Sequence, residues 1–335
     1  MKQLFIIFVL LIVAFPSYAT QQNGRFTWDF DLSSHNPGQE AKLWIPYPVS
    51  DNHQIISDIK WDGTYSEAAV YTERVFGVPM LYVHWPKETQ IRKITLSFAA
   101  ERVEQVKRAF PEEEAAYDPR DYKLYLSSTK LGPITGEVKK LADEITAGKN
   151  GILEKARAVY DWTIENTYRD PETSGCGVGD VTSFIRRPGG KCADISSIYV
   201  ALARAAGVPT REILGIRSGK EGSQDVSKWQ HCWAEFYLPG YGWVPVDPAD
   251  VRKAMLKQKL TLDDPSVEKL RDYFWGHVDP YRIRLSEGRD LQLNPPQQGP
   301  AINYLMYPFA QVGEETLNWL NPEKFAYKII WDKIP

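Results

Sequence analysis

Residues 189–247 limit the possible folds of this chain more than any other stretch. Gly189, Gly190 and Lys191 lead into a segment whose apolar residues recur at Ile195, Ile198, Tyr199, Leu202 and Ala205. These three- and four-residue steps predict a helix with one apolar face over 192–206. Gly207 and Pro209 end it. Three strand-like runs follow, at 211–217, 230–238 and 243–247, the last two joined by the turn residues Pro239, Gly240, Tyr241 and Gly242. The expectation is a helix packed on an antiparallel sheet.

Cys192 opens that helix. Helix N-termini present free N–H groups and partial positive charge, which favour a thiolate over a thiol. The glycines just before it permit a tight turn and close approach of another molecule. Cys192 shares a helical face with Ile195 and Tyr199, so its sulfur is expected to face the strands. A buried cysteine filling a helix–sheet contact would show the same local pattern, and the strands decide between the two readings. Along 230–238, His231, Trp233 and Glu235 fall on one face and Cys232 on the other, which predicts that Cys232 stands apart from His231. A hairpin with two or three loop residues brings Asp247 beside Cys232 or Trp233, adjacent or diagonal to His231. Pro245 cannot donate to a ladder, so one side of its strand is expected to be an edge or bulge. A nucleophile, a base and a carboxylate that orients the base are the parts of covalent catalysis. Cys192, His231 and Asp247 are therefore the expected catalytic residues. Glu235 is the next carboxylate able to orient the imidazole.

The first 19 residues stand apart. Lys2 precedes an apolar run at 4–15, and Pro16 is followed by Ser17, Tyr18 and Ala19. This pattern predicts a signal peptide cleaved after Ala19, a periplasmic or secreted protein, and no stable membrane insertion afterwards. The run is short for a bilayer span. Cleavage removes Lys2 and takes the formal net charge from −3 to −4, a balance that does not suit nucleic-acid binding. Three cysteines remain, so an oxidising compartment leaves at least one thiol unpaired within the chain.

The 335 residues divide on pattern into a signal segment (1–19), a β-sandwich (20–125), a core (126–260) and a C-terminal extension (261–335) packed on that core. The sandwich rests on six short strand-like runs, near 25–32, 41–47, 55–61, 70–75, 80–85 and 91–98. His35, His53 and His84 are isolated there and read as structural. A helical face is expected at Ile152, Ala156, Val159 and Thr163, and the Gly-rich stretch 170–191 shows no clear period.

Four segments together carry a family resemblance. They are Gly190, Lys191, Cys192, Ala193 and Asp194; then 202–211; then His231, Cys232, Trp233, Ala234 and Glu235; then 241–248, ending on Asp247 and Pro248. In this order and spacing they resemble the transglutaminase-like superfamily over about 150–255. Cys176 within a glycine-rich stretch, Asp250 and the N-terminal β region resemble its bacterial cysteine-protease-like members. The resemblance implies an α+β architecture, in which a papain-like core carries Cys on a helix and His and Asp on an antiparallel sheet. It implies a Cys192–His231–Asp247 triad acting on a peptide or protein amide. Carboxylate clusters suited to calcium are not evident, so no metal and no cofactor are expected. It does not name the substrate, nor decide between hydrolysis and acyl transfer. A catalytically inactive binding module is the competing reading. A metal centre from Cys176, Cys192, His231 and Cys232 is disfavoured because no Cys-x-x-Cys pair is present. Cys192 N–H is one expected oxyanion donor, and Tyr168 and Gln230 are alternatives for the second. Asp194 is expected to cap its own helix. Trp233 and Trp243 line the cleft or pack the hairpin. Cys176 either pairs with Cys232 or lines the site.

Overall fold

The computed structural model describes residues 20–334; the expected signal segment, 1–19, lies outside the described residues. Strand Gln21–Asp31 shows how the N-terminal third folds. Its alternate residues Phe26, Trp28 and Phe30 are buried, giving the period of two expected of a half-buried strand. It pairs antiparallel with Lys93–Val103, placing Phe26 opposite Phe98 and Trp28 opposite Leu96. Strand Gln54–Gly63 continues this sheet. Ala41–Pro46, Pro79–Trp85 and Glu67–Thr72 form a second sheet. Leu43, Ile45, Leu81, Val83 and Trp85 meet the first sheet's apolar face in one cluster. All six strand-like runs read from the sequence are strands.

Residues after 261 serve both bodies. Tyr327–Lys333 pairs with Gln21–Asp31, and Phe309–Val312 pairs with Ala41–Pro46, so each sandwich sheet is completed from the far end of the chain. Without them both N-terminal strands would present an unpaired edge. Arg282–Glu287 joins the core instead, pairing with Thr210–Arg217.

The core sheet is antiparallel, in the order Gly242–Val246, Gln230–Leu238, Thr210–Arg217, Arg282–Glu287. Strand Gly242–Val246 is its edge, where Pro245 costs no ladder bond on the outer side. Helix Cys192–Ala205 is buried over its whole length, between this sheet and helices Glu137–Ile145 and Gly151–Asn166. Ile152, Ala156, Val159 and Thr163 are buried on one face, as their spacing predicts. Helix Val181–Arg186, within the Gly-rich stretch, is not legible from periodicity; Asp180 caps it by accepting from Ser183 N–H at 3.2 Å. Sandwich and core are joined by Gln54, whose amide bonds both the N–H and the carbonyl of Arg284 (2.9 and 3.0 Å). Among the described residues, no helix is long and apolar enough to cross a membrane.

Candidate active site

The hairpin register decides where Asp247 lies. Leu238 pairs with Gly242 and Ala234 with Val246, leaving three loop residues, so Asp247 follows on beside Trp233 and diagonal to His231. His231 Nε2 lies 2.7 Å from Asp247 Oδ2. Both side chains are buried; Asp247 is wholly inaccessible. Asp247 also caps the next helix, Pro248–Gln258, by accepting from Asp250 N–H through Oδ1 at 2.8 Å. One carboxylate thus holds both the imidazole and the start of a helix. Glu235, four residues from His231 on the same face, is committed elsewhere, to Arg211 at 2.7 Å.

Cys192 is the first residue of its helix and 1% exposed. Asp194 closes the helix start: one oxygen accepts from Lys191 N–H (3.0 Å), the other from Gly179 N–H (2.9 Å). Capping of its own helix by Asp194 is therefore observed. Gly177 and Gly190 make room for it, since a Cβ on either would fall 1.9 and 2.5 Å from an Asp194 oxygen. Ala193 N–H bonds Cys176 O at 2.9 Å, whereas Cys192 N–H has no partner among the described residues. That leaves it free to meet a developing oxyanion. The buried Gln230 carboxamide nitrogen lies 3.4 Å from the Tyr327 hydroxyl. Tyr168, half-exposed, lays its ring over Gly189.

The cysteines depart from expectation. Cys232 does occupy the face opposite His231, packed in the helix-side core, yet both bear on the Cys192 thiol. Cys176, Cys232 and His231 all act on the titration of that thiol. The alternation of strand faces is as read, but His231 stands one residue from the strand's start, where side chains of both faces reach a helix terminus. The expectation that Cys232 lies apart from the site is thereby corrected. All three thiols are free and buried, so no Cys176–Cys232 disulfide is present and Cys176 lines the site. Contacts from Cys176 and Cys232, then from His231, hold the Cys192 thiol well below its ordinary pKa against the opposing effect of burial. Cys176 is pushed well up, first by its contact with Cys192 and then by burial; Cys232 is pushed up first by burial. The Cys176 S–H also reaches Gln230 O at 3.1 Å, so its single proton serves either that carbonyl or the Cys192 sulfur.

Sequence reading misses the charged layer behind His231. Arg282, fully buried, contacts Asp247 and bonds Asp250 (2.8 Å) and Asp279 (3.1 Å). Arg217, opposite Arg282 in the strand register, also bonds Asp250, at 2.6 Å. Burial would raise the Asp250 carboxyl, but Arg217, with His231 and Arg282, holds it well below the usual range. His231, Asp247 and Asp250 offer three donor atoms within 4.8 Å of one another, and the two guanidiniums already bond the carboxylate oxygens a cation would need. The three carboxylates outnumber the two guanidiniums by one charge. No sequence signal marks Arg282, because its role depends on which strand borders Thr210–Arg217.

A family model described as the transglutaminase-like superfamily matches residues 139–248, a span that contains Cys192, His231 and Asp247. The chain is 34% identical to an uncharacterized protein of Haemophilus influenzae over 347 residues, 95% of this chain and 94% of that one. It is 32% identical over 87 residues to a protein-glutamine gamma-glutamyltransferase of Pseudomonas aeruginosa, 24% of this chain and 13% of that one. Among solved structures, a candidate cysteine protease from Cytophaga hutchinsonii shares the fold, with a TM-score of 0.53 and 14% identity over 94% of this chain and 99% of that one. The chain belongs to the transglutaminase-like superfamily.

Proposed function

We propose that this chain is an exported cysteine enzyme that cleaves or transfers a peptide, protein or isopeptide amide through a thioester on Cys192. The observation that carries the reading is the meeting of three groups. Cys192 opens a helix, His231 helps to lower its thiol pKa, and His231 Nε2 is held by Asp247 at 2.7 Å. The Cys192 thiolate attacks the amide carbonyl carbon, and the oxyanion forms against Cys192 N–H. Imidazolium His231 gives its proton to the leaving amine. Water or a second amine then attacks the thioester and frees the thiol. Asp247 fixes the tautomer and stabilises the imidazolium. Both outcomes of the thioester accord with the relatives' names, one a transferase and one a protease. Export rests on the pattern of residues 1–19.

Incubation with peptide and isopeptide libraries, with and without an added primary amine, tests the reading by mass spectrometry. A mass adduct on Cys192 that resolves to acid or to new amide is expected. Libraries that leave Cys192 unmodified, with turnover or binding unaffected by Cys192→Ala, favour an inactive binding module. Expressed with its leader, the processed protein begins at Thr20; an intact Met1 terminus in the membrane fraction contradicts export.

A further inference from the structure

The proposed chemistry does not use a cavity of about 280 Å³ between the sandwich and the face of the core sheet turned away from the Cys192 helix. Arg102 and Lys107, from the sandwich side, and Trp233, from the His231 strand, line it. Arg102 is 2% exposed. Among the described residues no acceptor takes a hydrogen bond from it. Its Nε is enclosed and unbonded, and Asp51 Oδ1, the one carboxylate oxygen within 4 Å, is 3.8 Å away. The indole N–H of Trp233 is likewise buried and unbonded. A buried guanidinium without acceptors is strongly unfavourable, and buried polar groups are ordinarily bonded.

The neighbouring charges do not meet this need. Arg211 takes up Glu235 and Glu287, at 2.7 and 3.1 Å, and Arg284 bonds Glu287 at 2.9 Å. Asp51 accepts from the backbone N–H of His53 and Gln54, at 2.7 and 3.0 Å. Lys107 has no carboxylate within 4 Å among the described residues and sits 5.0 Å from the Tyr241 ring. Set against Asp51, Glu235 and Glu287, the four cations Arg102, Lys107, Arg211 and Arg284 leave one positive charge in excess around this partly open cavity. The volume lies at the small end for ligand pockets.

We propose that this cavity binds a small oxyanion, a carboxylate or phosphate, whose oxygens accept from the Arg102 guanidinium and whose charge is balanced by Lys107. Guanidinium suits such groups because its fork matches two oxygens at once. The ligand would bridge sandwich and core directly behind Trp233, whose ring centroid lies 6.5 Å from that of His231. The proposal is independent of the chemistry assigned to Cys192.

The test titrates the full chain with inorganic phosphate, and in a parallel arm with succinate, holding ionic strength constant with sodium chloride and following the melting temperature. A saturable rise above the chloride control is expected in at least one arm, and the arm with the lower half-saturation identifies the anion class. Arg102→Gln should raise the half-saturating concentration at least about tenfold. Lys107→Gln, at a partly exposed position, should raise it several-fold; it carries the test if Arg102→Gln does not fold. Melting curves that follow ionic strength alone in both arms overturn the proposal and leave the cavity to water. A response unchanged in Lys107→Gln overturns it equally.

Discussion

Arg282 and His231 share one oxygen: Asp247 Oδ2 takes both the imidazole Nε2 and the Arg282 guanidinium. The carboxylate that orients the ring is itself held by a buried cation from a strand fifty residues downstream of His231. That cation also bonds Asp250 and Asp279, so orientation of the imidazole depends on a network that no pair of residues forms alone.

Removing the cation should unsettle the whole layer. Arg282→Gln leaves Asp247, Asp250 and Asp279 with one fewer buried partner, and breaking buried pairs of this kind costs about 3–5 kcal/mol. Urea denaturation should show a much lower midpoint than wild type. Arg282→Lys should recover only part, since one ammonium cannot fork to three carboxylates. A midpoint unchanged in Arg282→Gln contradicts this account.

Asp247→Asn keeps an oxygen to cap Asp250 N–H but favours the wrong imidazole tautomer. Acylation of Cys192 in a single-turnover assay should slow by roughly 10²–10⁴, with an unaltered circular dichroism spectrum. Asp247→Ala should also lose stability, about 1 kcal/mol through the missing cap and more through the buried Arg282 pair it breaks. If Asp247→Asn stays within about threefold of wild type while Cys192→Ala is dead, the pair Cys192–His231 acts without an orienting carboxylate.

Iodoacetamide should label Cys192 ahead of Cys176 and Cys232, because its thiol is held low while theirs are pushed up. Lowering pH from 8 to 6 should slow Cys176 and Cys232 much more than Cys192. Cys176→Ala removes the largest contact favouring the thiolate, so Cys192 should then label more slowly at pH 7. Peptide mapping of the alkylated protein reads all three rates. Cys176 or Cys232 labelling first in the native protein would sink the idea.

The Asp250 carboxyl is depressed in the folded state, so its contribution to stability is present above the unfolded value near pH 4 and is lost as pH falls through the folded value. Wild type should be clearly more stable than Asp250→Asn at pH 7, and the gap should begin to narrow only below about pH 4. Urea midpoints measured from pH 7 to pH 3 check the narrowing. A gap that does not narrow in acid would place the effect in packing instead.

Gly177 has φ of 87° and leaves no room for a Cβ beside Asp194. Gly177→Ala should displace the carboxylate that caps the Cys192 helix and slow both acylation and alkylation at Cys192. Equal alkylation rates in Gly177→Ala and wild type would show that the helix start tolerates the shift.

Local pattern carried much of this molecule. The sandwich strands, the Cys192 helix and the His231–Asp247 hairpin all follow from periodicity and turn residues, because each depends on neighbours within a few positions. The hairpin also brought Asp247 to His231, since three loop residues set the register. Helix Val181–Arg186 escaped notice because six residues give too little period to see.

Whatever depends on distant partners was decided only by the tertiary structure. Strand faces were read correctly, yet Cys232 reaches the site because a helix terminus meets the strand near its start. The sandwich takes its outer strands from the last part of the chain, and Arg282 reaches Asp247 only once its strand is seated beside Thr210–Arg217. Sequence by itself determined the segments and singled out the proposed reacting groups, which are local properties of spacing and residue type. The fold decided their electrostatic setting and the unbonded Arg102, because burial and charge pairing arise only when segments far apart in the chain exclude water together.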